Sequence, residues 1–491
     1  MGKKSDTSVR DLLFGDTWEY APAPQSSDFV DIDDYYGHFI GGEFVESEAS
    51  FQTINPATEE PIAEIGEADE EMVDRAVRAA RSAYDNHWSK LDGKERAKYI
   101  YRIARMIKEK ARDLAVVESM DGGKPIRESR DIDIPLASAH FFYYAGWADK
   151  LDYAFPGADV QSLGVAGQII PWNFPLLMAA WKIAPALATG NTVVIKPAET
   201  TPLTAMMLAE IIDEAGLPPG VVNIVNGAGA TGAAIVEHDD VDKIAFTGST
   251  AVGKHIQRSV AGTDKKLTLE LGGKGANIIF DDASIDQAVE GIVDGIFFNQ
   301  GHVCCAGSRL LVQENIEEEV LTKLRHRMSS LVVGDPLDKN TDVGAINSRE
   351  QLERIKELVG AGEAEGAEKF QPGCSVPDTG YFFEPTVFTD VTQSHRIAQE
   401  EIFGPVLSVL TFRTPDEAIE KANNTAYGLA CGVWSDKGSK LFRVAGALKS
   451  GVVWGNTYNQ FDPGSPFGGY KESGFGREGG AHGLLPYLEV R

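Results

Sequence analysis

The sequence predicts an α/β protein built on parallel sheet. From about residue 165, short runs rich in Val and Ile alternate with amphipathic helical runs, the pattern of right-handed βαβ units. The second half of the chain repeats this style. The length, 491 residues, suits about three domains or two large ones at roughly 150 residues per domain.

The elements follow in order. Residues 1–30 read as a flexible N-terminal arm, since Ala21-Pro22-Ala23-Pro24-Gln25-Ser26-Ser27 offers few core-forming side chains. Folded sequence is expected from Phe39-Ile40-Gly41-Gly42. Val73, Ala76, Val77, Ala80 and Tyr84 recur at helical spacing and predict a helix. A buried strand is expected over 192–196. Thr201-Pro202 then opens a helix, with Thr as N-cap, Pro at the first helical position and Leu203, Met206, Met207, Ile211 and Ile212 as the apolar stripe. Strands are expected over 221–225, 243–246 and 277–280. The last leads to a helix capped by Ser284 with Gln287 completing a capping box. Further strands are expected over 310–312, 406–410 and 451–454.

Charge narrows the function. Lys+Arg is 46 and Asp+Glu is 73, a net charge of −27. This excludes a sequence-independent grip on nucleic-acid phosphates and docking on an anionic membrane. No uninterrupted apolar run reaches the ~18 residues of a membrane span. Met1-Gly2-Lys3-Lys4-Ser5-Asp6 has no apolar core of a secretory signal, and Asp6 breaks the myristoylation pattern. The four cysteines are Cys304, Cys305, Cys374 and Cys431. Without a CxxC pair they predict neither a zinc cluster nor a disulfide framework, so no metal is expected. Their usage fits a reducing cytosol, and a soluble cytoplasmic enzyme is expected.

Two glycine motifs need weighing. Gly227-Ala228-Gly229-Ala230-Thr231-Gly232 follows a strand and opens a helix, as a dinucleotide-binding turn does. No acidic residue follows at the distance of a ribose ligand, so a plain strand-to-helix turn serves equally well. Gly248-Ser249-Thr250-Ala251-Val252-Gly253-Lys254 matches a P-loop, but His255 stands where Mg²⁺ needs Ser or Thr. The segment remains a helix N-terminus able to hold a diphosphate through backbone N–H groups.

Three segments carry the chemistry: Ile169-Ile170-Pro171-Trp172-Asn173-Phe174-Pro175, Leu269-Glu270-Leu271-Gly272-Gly273-Lys274, and the run from Phe297 to Arg309 around Val303-Cys304-Cys305. With Glu400-Glu401-Ile402-Phe403-Gly404-Pro405 and Ser465-Pro466-Phe467-Gly468-Gly469-Tyr470-Lys471, they closely resemble the signatures of the NAD(P)-dependent aldehyde dehydrogenase superfamily. The resemblance runs from about Phe39 to the C-terminus. It implies a Rossmann-like cofactor-binding domain (31–140 and 161–270), a second α/β catalytic domain (271–472), and a small, shortened oligomerisation element (141–160 and 473–491).

The chemistry has its own logic. Hydride removal from an aldehyde needs a tetrahedral carbon bearing H and O⁻, which a thiolate creates by attack on the carbonyl. Cys304, in a Gly-flanked turn, is the candidate nucleophile, with Cys305 its competitor; the resemblance favours Cys304. A neutral donor must face the oxyanion, and the resemblance gives this role to Asn173. Glu270 is implied as the base that activates the hydrolytic water; a Glu at a strand end is more often solvated. The resemblance places NAD against Ile169, Ile170, Pro171, Trp172, Lys196, Glu199, Gly229, Phe246, Thr247, Gly248, Ser249, Val252, Leu271, Glu401 and Phe403. A carboxylate at Glu199 repels a 2′-phosphate, favouring NAD over NADP. A substrate tunnel is implied along Phe174, Leu177, Met178, Trp181, Phe298, Phe461 and Phe467. It suits small aliphatic or aromatic aldehydes, with Asp462 nearby to disfavour anionic ones or to help hold a cationic one. Lys182 and Glu478 match positions implied to relay protons, although both residue types are usual on a surface.

Departures from the pattern set further expectations. His302 replaces the usual Gln or Glu; a Cys–His dyad is disfavoured because residues two apart rarely face each other. Gly275 replaces Ser or Asn, suggesting a looser Glu270 loop. The stretch 150–164 is short for the subunit-joining hairpin, and the chain ends at Glu489-Val490-Arg491, short of a full tail strand. A homodimer is therefore expected rather than a tetramer. The rival readings are a CoA-acylating semialdehyde dehydrogenase, against which Glu270 argues, and a non-catalytic scaffold.

Overall fold

Two largely parallel sheets organise the computed structural model, which describes residues 21–491. The first sheet contains β1 (His38–Ile40), β2 (Glu43–Val45), β3 (Val165–Ile169), β4 (Thr192–Lys196), β5 (Val222–Ile224), β6 (Lys243–Thr247), β7 (Lys266–Glu270) and the late segment Gly474–Phe475. Its order is Gly474–Phe475, β7, β6, β3, β4, β5, β1, β2. The strands from β7 to β5 run parallel, and those outside them are antiparallel. β3, β4 and β6 are buried along their whole length. Continuous apolar runs of this kind belong to parallel sheets with helices on both faces.

The helices that matter below are α1 (Glu70–Asn86), α2 (Gly93–Glu109), α3 (Ala111–Gly122), α4 (Ile134–Ala145), α5 (Pro175–Ala188), α6 (Leu203–Glu214), α7 (Gly229–Glu237), α8 (Thr250–Ser259) and α9 (Ile285–Ile296). α1 buries Val73, Ala76, Val77, Ala80 and Ala83, as its spacing requires, and Asp69 caps it by accepting from Met72 N at 2.8 Å.

The second sheet contains β8 (Ala276–Ile279), β9 (Arg309–Gln313), β10 (Glu368–Phe370), β11 (Thr386–Thr389), β12 (Val406–Phe412), β13 (Ala430–Trp434) and β14 (Val452–Gly455). Its order is β10, β11, β12, β9, β8, β13, β14, parallel except for β10 at the edge.

Topology places the site. From β3 the chain winds one way through β4 and β5, then returns to the other side of β3 for β6 and β7. Ligands bind beyond the carboxyl ends of strands at such a switch point. The register sets Ile169 beside Lys196, Phe246 beside Ile169, and Thr247 beside Glu270. The residues that follow these strand ends therefore emerge at one level.

Several local expectations are corrected. α6 begins at Leu203, and its end is capped by Asp121 of α3, whose Oδ2 accepts from Leu203 N at 3.0 Å. Thr201 Oγ1 has no partner, because in this buried setting a neighbouring helix already satisfies the donor. Ser284 occupies the N-cap of α9 but makes no side-chain cap bond; it is exposed, so solvent can serve the same N–H groups. The expected arm, 1–30, lies outside the described residues up to 20. Beyond that it is held: Gln25 N donates to Leu337 O at 2.7 Å, and Pro24 bridges to Asp338. The short stretch 150–164 forms no hairpin. It makes a brief helix, Leu151–Ala154, and the strand Val160–Ser162, which pairs with the tail strand Leu488–Val490. The tail ends in this three-residue strand. Earlier in the tail, Gly474–Phe475 joins the first sheet.

Candidate active site

A cavity of about 430 Å³ lies where the carboxyl ends of β3, β6 and β7 meet the turn between α9 and β9. Asn173 follows β3, Thr247-Gly248-Ser249 end β6, and Glu270 ends β7; all of them line it. Cys304 and Glu401 line it from the segments that precede β9 and β12.

Cys304 is partly open to this cavity, whereas Cys305 is buried, its thiol 3.7 Å from Asn459 Oδ1. The adjacent Cys305 thiol, then burial, then the charge of Glu401 push the Cys304 thiol well above its ordinary range. Cys304 therefore rests as the neutral thiol. Asn173 is tied to the cysteine turn: its Nδ2 donates to His302 O at 2.8 Å, and its own carbonyl accepts from Asn299 Nδ2 at 2.9 Å. An amide nitrogen carries two N–H groups, so a second remains for the cavity.

Glu270 is not a solvated strand end. It is 6% exposed, and neither carboxyl oxygen has a hydrogen-bond partner. Burial, then the nearby Glu478 charge, raise its carboxyl well above the usual range, opposed by Lys182. Lys182 and Glu478 are not at the surface either: they form a buried ion pair between α5 and the tail.

The glycines after Glu270 permit close packing. A Cβ at Gly272 would collide with Glu401 Oε2, and one at Gly273 with the Cys304 carbonyl. Gly275 is equally constrained, with Ala306 O 2.6 Å and Tyr458 Oη 3.0 Å from where its Cβ would stand. The loop is tight at Gly275 because the backbone of the cysteine turn lies against it. Glu401 accepts from Gly273 N at 2.9 Å, and its enclosure by protein raises its carboxyl to about 7.

His302 packs behind the cavity lining. Its ring meets Trp172 edge-on at 4.8 Å and stacks on Phe403 at 5.8 Å, the latter held at φ 56°. Burial, aided by the charge of Lys124, lowers it to about 3, so it is a neutral aromatic spacer.

The expected cofactor residues divide into groups. Pro171, Trp172, Thr247, Gly248, Ser249, Leu271, Glu401 and Phe403 line the cavity. Ile169, Ile170 and Phe246 pack in the core. Lys196, Glu199, Gly229 and Val252 lie outside the lining. The Lys196 ammonium is held by the carbonyls of Pro197 and Gly227, each at 2.7 Å, and lies 3.5 Å from Glu199.

All seven expected tunnel residues line the cavity. Phe174 and Phe298 stack at 6.1 Å, and Trp181 lies 5.4 Å from Phe467. Asp462 does not line it; this exposed carboxylate closes a surface turn by accepting from Gly464 N at 2.8 Å. Ile132, Leu136, Asp294, Tyr458 and Gln460 also line the cavity and were not legible, since they come from a helix irregularity, a helix face and a loop. The positive-φ pair Asn456 and Asn459 is the one local signal near Tyr458. Among the described residues no His, Cys, Asp and Glu cluster fits a metal.

A cysteine open to an apolar cavity at the switch point of a parallel sheet defines the class: an α/β enzyme equipped for covalent thiol chemistry. The sequence model of the aldehyde dehydrogenase family matches residues 44–491. Human retinal dehydrogenase 2 is 48% identical, over 92% of this chain and 90% of its own. An NAD+ complex of an aldehyde dehydrogenase from Bacillus cereus superposes with a TM-score of 0.90 at 45% identity, covering 93% of this chain and 96% of that one. An indole-3-acetaldehyde dehydrogenase with NAD+ gives 0.91 at 40% identity, covering 95% and 97%. The chain belongs to the aldehyde dehydrogenase family.

Proposed function

We infer that this enzyme oxidises aldehydes to carboxylic acids with NAD, using Cys304, Asn173 and Glu270. NAD-dependent aldehyde oxidation is the activity of the family to which the chain belongs. The observation that carries the residue assignment is that these three side chains face one apolar cavity.

Cys304 attacks the carbonyl carbon through Sγ as its thiol proton passes to solvent, and the negative charge moves to the former carbonyl oxygen. The oxyanion is met by Asn173 Nδ2 and the Cys304 backbone N–H, donors placed before charge develops. When bound, NAD supplies the two-electron acceptor. The resulting thioester on Cys304 is opened by water as Glu270 takes the water proton. Glu270 must first release its resting proton. The carboxylic acid then leaves and the thiol is restored.

The residues present fit the cofactor. At the start of α8 the buried Thr247 Oγ1 and Thr250 Oγ1 have no partner, beside the backbone N–H groups of a helix N-terminus suited to a diphosphate. Lys196 and Glu199 would hold the adenosine ribose, Thr247, Gly248 and Ser249 the diphosphate, and Glu401 the nicotinamide ribose.

We assign the first sheet and its helices (31–140 and 161–270) to cofactor binding and 271–472 to catalysis. The aromatic lining supports aliphatic or aromatic aldehydes of modest size. NADH formation over a panel of such aldehydes, with NAD and NADP compared, tests this reading; preference for NADP would remove the role given to Glu199. No helix among the described residues is long and apolar enough to cross a membrane, and we place the enzyme in the cytoplasm. The absence of a hairpin over 150–164 supports a homodimer, which light scattering after size exclusion checks; a clean tetramer contradicts it.

A further inference from the structure

Against the cavity, where Asp133 forms part of the lining, three carboxyls and one ammonium are packed away from solvent. Glu118 of α3, Lys124, Glu128 and Asp133 are 1, 2, 7 and 0% exposed. Glu128 and Asp133 bracket the π-helical turn Ser129–Asp133 that leads into α4. Turns of this kind inside helices recur at functional sites. Lys124 pairs with Asp133 and lies 3.6 Å from Glu118. None of these groups takes part in the chemistry above. As core material they are a poor choice, since buried ion pairs are often replaced by apolar residues without loss.

Three of them hold a piece of the site. Glu118 Oε2 accepts from Leu176 N at 3.3 Å, in the first turn of α5. Lys124 Nζ lies 4.2 Å from the centre of the Phe174 ring. Glu128 Oε2 accepts from Asn299 N at 2.9 Å. Asn299 and Gln300 are left-handed, with φ of 48° and 52°, a conformation that persists only where surroundings enforce it. The Asn299 side chain continues the connection, donating to Asn173 O at 2.9 Å and to His302 O at 3.3 Å. An unbroken path thus joins Glu128 to Asn173.

We propose that Glu128 is a positioning residue for the oxyanion-binding amide: it fixes the left-handed turn at Asn299 and, through the Asn299 side chain, sets the direction of the free Asn173 N–H. The inference rests on the role given to Asn173 above. Burial raises the Glu128 carboxyl to about 8, so at neutral pH it is a protonated acceptor that Gln reproduces.

The readout is the rate of the first NADH turnover, with NAD affinity followed separately by protein fluorescence. Asn173→Ala alone should slow that turnover by roughly 10²–10³-fold; an unchanged rate overturns the reading of Asn173 itself. Glu128→Ala should slow it by roughly 10–100-fold, the scale of a misplaced group, with NAD affinity retained. Glu128→Gln should stay near the wild-type rate. In the Asn173→Ala background, Glu128→Ala should cost nothing further, because contacting groups that act as one unit are not additive. An equal loss in both backgrounds, an unchanged rate for Glu128→Ala, or a loss explained by weaker NAD binding overturns the proposal. If Glu128→Ala does not fold, Asn299→Gly replaces it in the same cycle. Glycine accepts the left-handed φ and removes only the amide bonds, and additivity with Asn173→Ala then overturns the proposal.

Discussion

Glu270 and Glu401 approach the same cavity from opposite sheets, yet their surroundings differ. Glu270 ends a strand with both oxygens unpartnered, and its carboxyl is raised well above the usual range. Glu401 lies in a loop, has one oxygen fixed by Gly273 N, and is raised only to about 7. A carboxyl without donors prefers to be neutral and gains or loses a proton without breaking bonds. One anchored by a backbone N–H is oriented to accept hydroxyls. The difference teaches that burial alone does not set a role; the presence of a donor does.

The comparison has meaning only through Cys304, so the largest effect belongs there. Cys304→Ala should abolish NADH formation, while Cys305→Ala retains most of it; a near-normal rate for Cys304→Ala removes the nucleophile assignment. Next, Glu270→Gln should keep one rapid NADH burst, close to one per site. Steady-state turnover should then fall by roughly 10²–10⁴-fold. Hydroxylamine, which cleaves the thioester without a base, should restore cycling. A missing burst would show that Glu270 acts earlier, on the Cys304 thiol.

Gly272→Ala attacks the other acid, because the added Cβ collides with Glu401 Oε2. Displacing a hydrogen-bonded charged group costs about 1.5–3 kcal/mol. The KM for NAD should rise by roughly 10–100-fold with the burst amplitude intact, and an unchanged KM breaks the link between Glu401 and the cofactor. The smallest effect is on stability. Glu270 binds its proton more tightly folded than unfolded, so folding stability falls as pH rises above the unfolded value of about 4.3. Glu270→Gln should therefore melt above the wild type at pH 8. The gap should close below about pH 4. Glu401→Gln should gain less, since its carboxyl already has a donor. Equal gains would erase the distinction between the two acids.

Much of this was legible in the sequence because it is local. Continuous apolar runs such as Thr-Val-Val-Ile before Lys196 define buried parallel strands whatever surrounds them. The segments around Asn173, Glu270 and Cys304 carry distinctive residue patterns. A Cβ at Gly273 would meet the Cys304 backbone carbonyl, a close approach that a glycine permits. Misreadings arose where a partner came from far along the chain. Asp121 caps α6 in place of Thr201. Gly275 tightens its loop because Ala306 and Tyr458 press on it.

Sequence alone determined the fold class and the segments that bring Cys304, Asn173 and Glu270 to one cavity, since periodicity and short motifs depend on neighbours within a few residues. Only the tertiary structure decided the protonation of Cys304 and Glu270, the neutral packing role of His302, and the buried cluster around Lys124 that grips the Asn173 loop. Desolvation and hydrogen-bond satisfaction depend on what packs around a group in space, and those neighbours stand up to hundreds of positions away in the chain.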